Sequence, residues 1–289
     1  MTTILPRLLL ASAMLFAAGQ AAHGAEQKRI TLATDGAYPP FNYTEASGKL
    51  VGFEVDLAAD LCARIQAECG WVTEAFDGMI PSLNAGRFDA IMASLSITEK
   101  RAQSIDFSVP YYAGPTLFVA AADSSYVQSG VDKGRTLDLH AMSDETKSAL
   151  AALGEVIEGG TIGVERASTH ATFVRQLFPD AKLRVYDKEE SLYLDLASGR
   201  VDIVVSGYSS IRTFIERQKA QGKDFRVFGP ALKGGVLGKG IALGFRKGGD
   251  ALRAEFDKAI IAATEDGTIK RLSEKWMGFD GSVPQAPGQ

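Results

Sequence analysis

NAGRFDAIMASLSITEKR, residues 84–101, packs four structural events into one short stretch. Gly86 closes a helix as its C-terminal glycine. The apolar run over 88–92 reads as a buried strand. Ala93, Ser94, Leu95 and Ser96 form a small-residue turn, and a second helix starts behind it with Arg101 in its first turns. Ser96 and Glu99 have the spacing of a capping box. A helix start presents unpaired N–H groups and partial positive charge. Arg101 adds a planar fork that fits a carboxylate. Strand, turn, helix start and guanidinium together predict an anion seat at Ser94, Ser96 and Arg101.

Strands and helices alternate on both sides of this stretch. Strands are expected over 29–34, 71–75, 116–121, 161–164, 183–186, 201–205, 225–228 and 241–245. Helices are expected over 53–66, 169–178, 189–197, 209–218, 251–265 and 269–277, with Ser168 as an N-cap. In the first helix Val55, Ala58, Leu61 and Ile65 share an apolar face. The alternation predicts an α/β fold with largely parallel sheets. The polar, turn-rich segment 123–160, with a helix from about 144 to 153, reads as peripheral decoration. An internal echo links LNAGRFD at 83–89 to LASGRVD at 196–202, and each is followed by an apolar strand. Two lobes of similar construction follow from it.

The chain has 289 residues, enough for two domains. Residues 1–25 have the basic start, apolar core and small-residue end of a cleaved signal peptide. The mature chain loses Arg7 and keeps 30 basic against 35 acidic residues, a net charge of −5. With no basic run, nucleic acid is excluded as a partner. Cys62 and Cys69, an even pair in an exported chain, predict one disulfide. No metal site is expected, because His140 and His170 are not at ligand spacing from the cysteines. Catalytic loops of the GxSxG, Walker and HExxH types are absent from the sequence.

Ligands of open α/β sheets sit beyond the carboxyl ends of the strands. Those ends are predicted at Asp35, at residues 93–96, at 165–170 and at 206–207. If two lobes face each other, carboxylates at Asp35 and Glu165 oppose the anion seat. A ligand with separated cationic and anionic ends, such as an amino acid, fits that pattern.

ATDGAYPPF, GFEVDLAADLCARI, FDGMIPSLNAGRFDAIMASLSITEKR and LDLASGRVDIVV resemble the polar amino-acid class of periplasmic substrate-binding proteins that feed ABC transporters. The long segment before the second-lobe strand, FGPALKGGVLGKG at 228–240 and the turn at 168–170 resemble its nopaline- and octopine-binding branch. The resemblance implies a two-lobed, type II periplasmic-binding fold that closes on a ligand held between the lobes. Lobe 1 would be 26–113 and 239–281, lobe 2 would be 117–232, the hinge crossings 114–116 and 233–238, and 282–289 a mobile tail. It implies that Arg101 clamps an α-carboxylate with help from Ser96, that Tyr38 and Phe76 sandwich the side chain, and that Asp35 meets its distal cationic group. Ser168 and His170 would contact the ligand from lobe 2. Ala93 stands where many relatives have Ser. Gly207 stands where binders of free amino acids usually carry an Asp for the α-ammonium, which costs such a ligand ~1.5–3 kcal/mol and opens space. An opine, whose α-nitrogen carries a second carboxylate, would instead use positive potential from Arg166 or His170. The implied function is a non-enzymatic, monomeric, cofactor-free periplasmic binder of a guanidinium-bearing opine that delivers it to membrane permease subunits. Free arginine, ornithine, lysine or histidine is the alternative ligand. A dehydratase of the arogenate/cyclohexadienyl type shares the fold, and a sensor module would need a membrane partner.

Overall fold

The computed structural model describes residues 28–285. The expected signal peptide, 1–25, and the last four residues of the tail lie outside them. β1 (Lys28–Thr34) runs into a small antiparallel sheet of β2 (Ala37–Tyr38), β3 (Asn42–Thr44) and β4 (Leu50–Val51). Then come α1 (Phe53–Arg64), β5 (Ala67–Thr73), α2 (Met79–Asn84), β6 (Ala90–Ile91), α3 (Glu99–Ala102) and β7 (Ile105–Phe107). β8 (Thr116–Ala121) opens a second unit with α4 (Ser125–Gln128), β9 (Thr136–Asp138), α5 (Asp144–Ile157), β10 (Thr161–Glu165) and α6 (Thr169–Leu177). β11 (Lys182–Tyr186), α7 (Glu189–Ala197), β12 (Ile203–Gly207), α8 (Tyr208–Ala220) and β13 (Phe225–Lys233) complete it. β14 (Gly244–Arg246), α9 (Asp250–Glu265) and α10 (Thr268–Met277) return to the first unit.

Two mixed sheets result. One has the order β5-β1-β6-β14-β7, the other β11-β10-β12-β8-β13-β9. β1 lies parallel to β5 and β6, and β10 lies parallel to β11 and β12. The chain crosses between the sheets twice, from β7 to β8 and from β13 to β14. Each unit buries its own apolar core, around Leu32, Phe53 and Phe256 in the first and around Phe118, Phe173 and Leu232 in the second. Burial of this kind contributes about 25 cal/mol per Å² of apolar surface.

The internal echo has a structural counterpart. Asp89 accepts a hydrogen bond from the Thr31 amide at 2.8 Å, and Asp202 does the same from Thr161 at 2.8 Å. In both units this carboxylate ties the strand after the helix to the parallel strand beside it, β1 in one and β10 in the other. Gly86 and Gly199, which end the preceding helices, have φ values of +77° and +72°, the left-handed region where glycine has no Cβ penalty.

Three local expectations change. The N-cap of α3 is Thr98, whose hydroxyl accepts from the Arg101 amide, so Ser96 and Glu99 form no capping box. α3 is also only four residues long. The buried face of α1 is Phe53, Glu54, Leu57, Ala58, Leu61 and Cys62, so Val55 and Ile65 sit at its edge. The segment 123–160 is no peripheral decoration: β9 pairs with β13, and α5 buries Leu150, Leu153 and Ile157 in the second core. Cys62 and Cys69 are disulfide-bonded and tie the last turn of α1 to β5. Past α10 the chain lies against the first crossing. The Gly281 carbonyl accepts from the Ala113 amide at 3.2 Å, and the Gln285 side chain donates to the Pro110 carbonyl at 2.9 Å.

Candidate ligand-binding site

The carboxyl ends of β1, β6, β10 and β12 face one another across a cleft. An inner pocket of about 30 Å³ takes Asp35, Tyr38, Phe76, Ala93, Ser94, Ser96 and Arg101 from the first unit. Glu165, Ser168, Thr169 and His170 line it from the second. A larger cavity of about 280 Å³ adjoins it, sharing Tyr38, Ser94, Ser96, Thr169 and His170. Gly207 lines this second cavity rather than the inner pocket. Ten residues expected from the sequence, Asp35, Tyr38, Phe76, Ala93, Ser94, Ser96, Arg101, Glu165, Ser168 and His170, meet in the inner pocket. Arg166 does not: its exposed guanidinium is paired with Asp187 at 2.6 Å and with Asp77 at 3.8 Å on the rim.

A buried carboxylate holds the anion seat in place. Glu54 Oε1 accepts from the Ser94 amide at 2.7 Å and also from the Tyr111 hydroxyl. Glu54 Oε2 accepts from the Asn42 amide group at 2.6 Å. Ser94 itself has φ +48°, so this anchoring fixes an unusual turn conformation at the seat. Arg101 Nη1 donates to the Ser96 carbonyl at 2.9 Å, and its guanidinium carbon lies 5.5 Å from the centre of the Phe76 ring. Ser168 is committed to the fold: its hydroxyl donates to the Glu165 carbonyl at 2.7 Å and caps α6 by accepting from the Ala171 amide at 3.1 Å. The Ser168 side chain therefore shapes the wall of the pocket while its polar capacity is spent locally.

The opposite wall is acidic. Burial pushes the Asp35 carboxyl up to about 7, with the nearby Glu54 charge adding to the rise. Burial, then Asp35 and Glu189, raises the Glu165 carboxyl well above the carboxylate range. Glu165 Oε1 is buried with no hydrogen-bond partner among the described residues. Glu189, raised to about 8 by burial, accepts hydrogen bonds from the Ser206 and Ser210 hydroxyls just behind. Burial lowers Arg101 to about 10, and the Glu165 charge opposes that shift. Burial and the Arg101 charge push His170 down to about 4, so the imidazole is neutral and supplies no positive potential. The site therefore sets one guanidinium opposite a group of carboxyl groups that form no ion pair among the described residues.

The two units touch across the cleft. Arg101 Nη2 donates to the Ala167 carbonyl at 3.1 Å, and the Tyr112 and Ser209 hydroxyls lie 2.7 Å apart. Sequence reasoning missed Glu54, Thr169 and Glu189. Glu54 was detectable: Leu57, Ala58 and Leu61 follow it at +3, +4 and +7, which puts a carboxylate on the apolar face of α1.

The profile of the bacterial extracellular solute-binding proteins, family 3, matches residues 30–279. The octopine-binding periplasmic protein of Rhizobium meliloti is 37% identical over 291 residues, covering 94% of this chain and 97% of that protein. The histidine-binding periplasmic protein of Salmonella typhimurium is 34% identical over 276 residues, covering 94% and 96%. Among solved structures, a periplasmic His/Glu/Gln/Arg/opine family-binding protein from Silicibacter pomeroyi in complex with lysine superposes with a TM-score of 0.71 at 27% identity, over 88% of this chain and all of that one. The profile match extends over both sheets and over the residues that line the cleft. The chain belongs to the bacterial extracellular solute-binding proteins, family 3.

Proposed function

We propose that this protein is the periplasmic solute-binding component of an ABC importer and that its ligand is an amino-acid derivative with a guanidinium group, an opine of the octopine or nopaline kind. The observation that carries this reading is Glu165, a buried carboxylate with an unpartnered oxygen beside Asp35, facing Arg101 across the pocket. Arg101 takes the α-carboxylate of the ligand, helped by Ser96. Asp35 and Glu165 take its guanidinium, and Tyr38 and Phe76 flank the connecting chain. Ionised, each carboxylate gains a charge-assisted hydrogen bond only when that cation arrives, worth ~1.5–3 kcal/mol.

Gly207 and the 280 Å³ cavity beside it favour an α-nitrogen carrying a substituent over a free α-ammonium. The octopine-binding relative supports the same choice. Free arginine is the second ligand to test. The protein acts by binding and lobe closure rather than catalysis, a reading supported by relatives named for binding octopine and histidine. It is exported with loss of its first 25 residues, works as a monomer and presents its closed form to membrane permease subunits. Calorimetric titration with octopine, nopaline and L-arginine tests the ligand, with tightest binding expected for an opine. Tight arginine binding with no opine binding overturns the opine assignment. Steady conversion of prephenate or arogenate to an aromatic product overturns the binding role.

A further inference from the structure

The opine reading leaves the charge of the second carboxylate unmatched. Neither cation expected to meet it does so: Arg166 is paired on the rim, and His170 is neutral. The 280 Å³ cavity contains other candidates. Lys239 lines it from the second crossing, and its amide donates to the Ile97 carbonyl at 3.0 Å, next to Ser96. That bond fixes the lysine relative to the anion seat. Among the described residues the Lys239 ammonium is in no ion pair. His140 lines the same wall, delivered by the loop after β9, in the segment 123–160. Its Nδ1 lies 3.1 Å from Asp138 Oδ1 and 3.3 Å from the Gly235 amide, which leaves Nε2 for a ligand. Gly234 permits this approach. A Cβ there would stand 2.2 Å from His140 Nδ1, and its φ of +75° suits glycine.

The charges of this cavity differ from those of the inner pocket. Asp138 is its acidic residue, and that carboxylate is 3.8 Å from Lys233 Nζ as well as beside His140. With Lys233 and Asp138 offsetting each other, Lys239 gives the cavity a net positive charge. α8 adds to it, since Gly207 brings no capping oxygen to the helix start on the same wall.

Resting on the proposed opine reading, we infer that the outer cavity is a second anion subsite, in which Lys239 and His140 bind the carboxylate carried on the ligand's α-nitrogen. Segment 123–160 and the hinge crossing thus set specificity, while the inner pocket reads the amino-acid part common to opines and free amino acids.

The test compares octopine, Nα-ethyl-arginine and L-arginine by calorimetry on the intact mature protein, its Lys239→Gln variant and its His140→Ala variant. Octopine and Nα-ethyl-arginine differ in the second carboxylate, so their affinity ratio reports that charge alone. In the parent protein octopine should bind at least tenfold tighter than Nα-ethyl-arginine. Lys239→Gln should cut that ratio by about tenfold, the effect of one hydrogen bond to a charged group, with arginine binding changed less than twofold. His140→Ala should cut it by a smaller factor. A ratio that stays within twofold of the parent in both variants overturns the subsite, as does an equal loss for all three compounds. Failure of the parent protein to bind octopine and arginine at all overturns the proposed function, and the subsite with it.

Discussion

At the scale of single residues, the site depends on groups whose charges are incomplete without a ligand. Arg101→Ala should weaken opine or arginine binding by about two orders of magnitude or more, because truncating one partner of a desolvated charge pair costs ~2–5 kcal/mol; titration calorimetry reads it, and retention within tenfold contradicts the anion seat. The carboxyl of Asp35 makes a prediction about pH. Its value rises from the ordinary 3.8 to about 7 in the folded protein, so the folded state holds its proton more tightly than the unfolded chain. Stability from that proton is complete below about 4 and is lost as pH rises toward about 7. Thermal unfolding of ligand-free protein should therefore show a falling Tm across that window, and Asp35→Asn should flatten the fall. A Tm that rises across the window for the parent would contradict the buried, uncompensated carboxylate. That Asp35 and Glu165 reach the cleft was legible because they stand at strand ends, and Arg101 was legible from the turn and helix start behind β6. Glu54, overlooked, could be read from its place on the apolar face of α1, whereas Glu189 could not, because a glutamate in the first turn of a helix normally faces water and favours the helix dipole. Here both are buried and bind serine groups next to the site. Ser168 was read as an N-cap and is one, but the second bond of its hydroxyl, to the Glu165 carbonyl, was hidden, since capping and ligand contact call for the same residue type at the same place.

At the scale of elements, α1 is fixed at both ends by contacts that pass beyond it. Its first turn supplies Glu54 to Ser94, Tyr111 and Asn42, and its last turn carries the Cys62–Cys69 disulfide. Replacing both cysteines with serine should lower the unfolding free energy by about 2.5 kcal/mol, the loop-closure value for so short a loop. Because the disulfide lies at the far end of the helix from Ser94, ligand affinity should stay within about twofold in the same variant. Denaturant unfolding and calorimetry check the two halves of this statement. Most elements follow from local patterning: β8 and α7 fall where alternation, length and capping residues place them. The start of α3 escaped for a definite reason. Ser96 and Thr98 both suit an N-cap, and the choice depends on pairing of Ser96 with Ile241, a partner far along the chain. The segment 123–160 escaped for the same reason. Its polar, turn-rich composition looks like surface decoration, yet its short strand is held by β13, about a hundred residues away.

At the scale of the whole molecule, two sheets of like construction meet over one cleft, and the contacts across it describe a closed arrangement. The Arg101–Ala167, Arg166–Asp77 and Tyr112–Ser209 contacts join the units. The first is made by Arg101, so under the proposed function ligand binding and closure are coupled through one guanidinium. Small-angle scattering should show a lower radius of gyration when octopine or arginine is added to ligand-free protein, and no change for Arg101→Ala. The two-lobed plan was legible from the LNAGRFD and LASGRVD echo, and the paired Asp89–Thr31 and Asp202–Thr161 bonds supply its physical basis. The charge balance of the cleft was not legible, because it depends on which ionisable groups lose water when the units close. The most direct test of the central claim is a calorimetric titration of the mature protein with octopine, L-arginine and L-histidine, repeated with Glu165→Gln. One-to-one binding is expected, tighter for octopine than for arginine, and at least tenfold weaker in the variant for both guanidinium compounds. Absence of binding for all three, or unchanged affinity in Glu165→Gln, would contradict a site built for a ligand with a cation at one end and a carboxylate at the other.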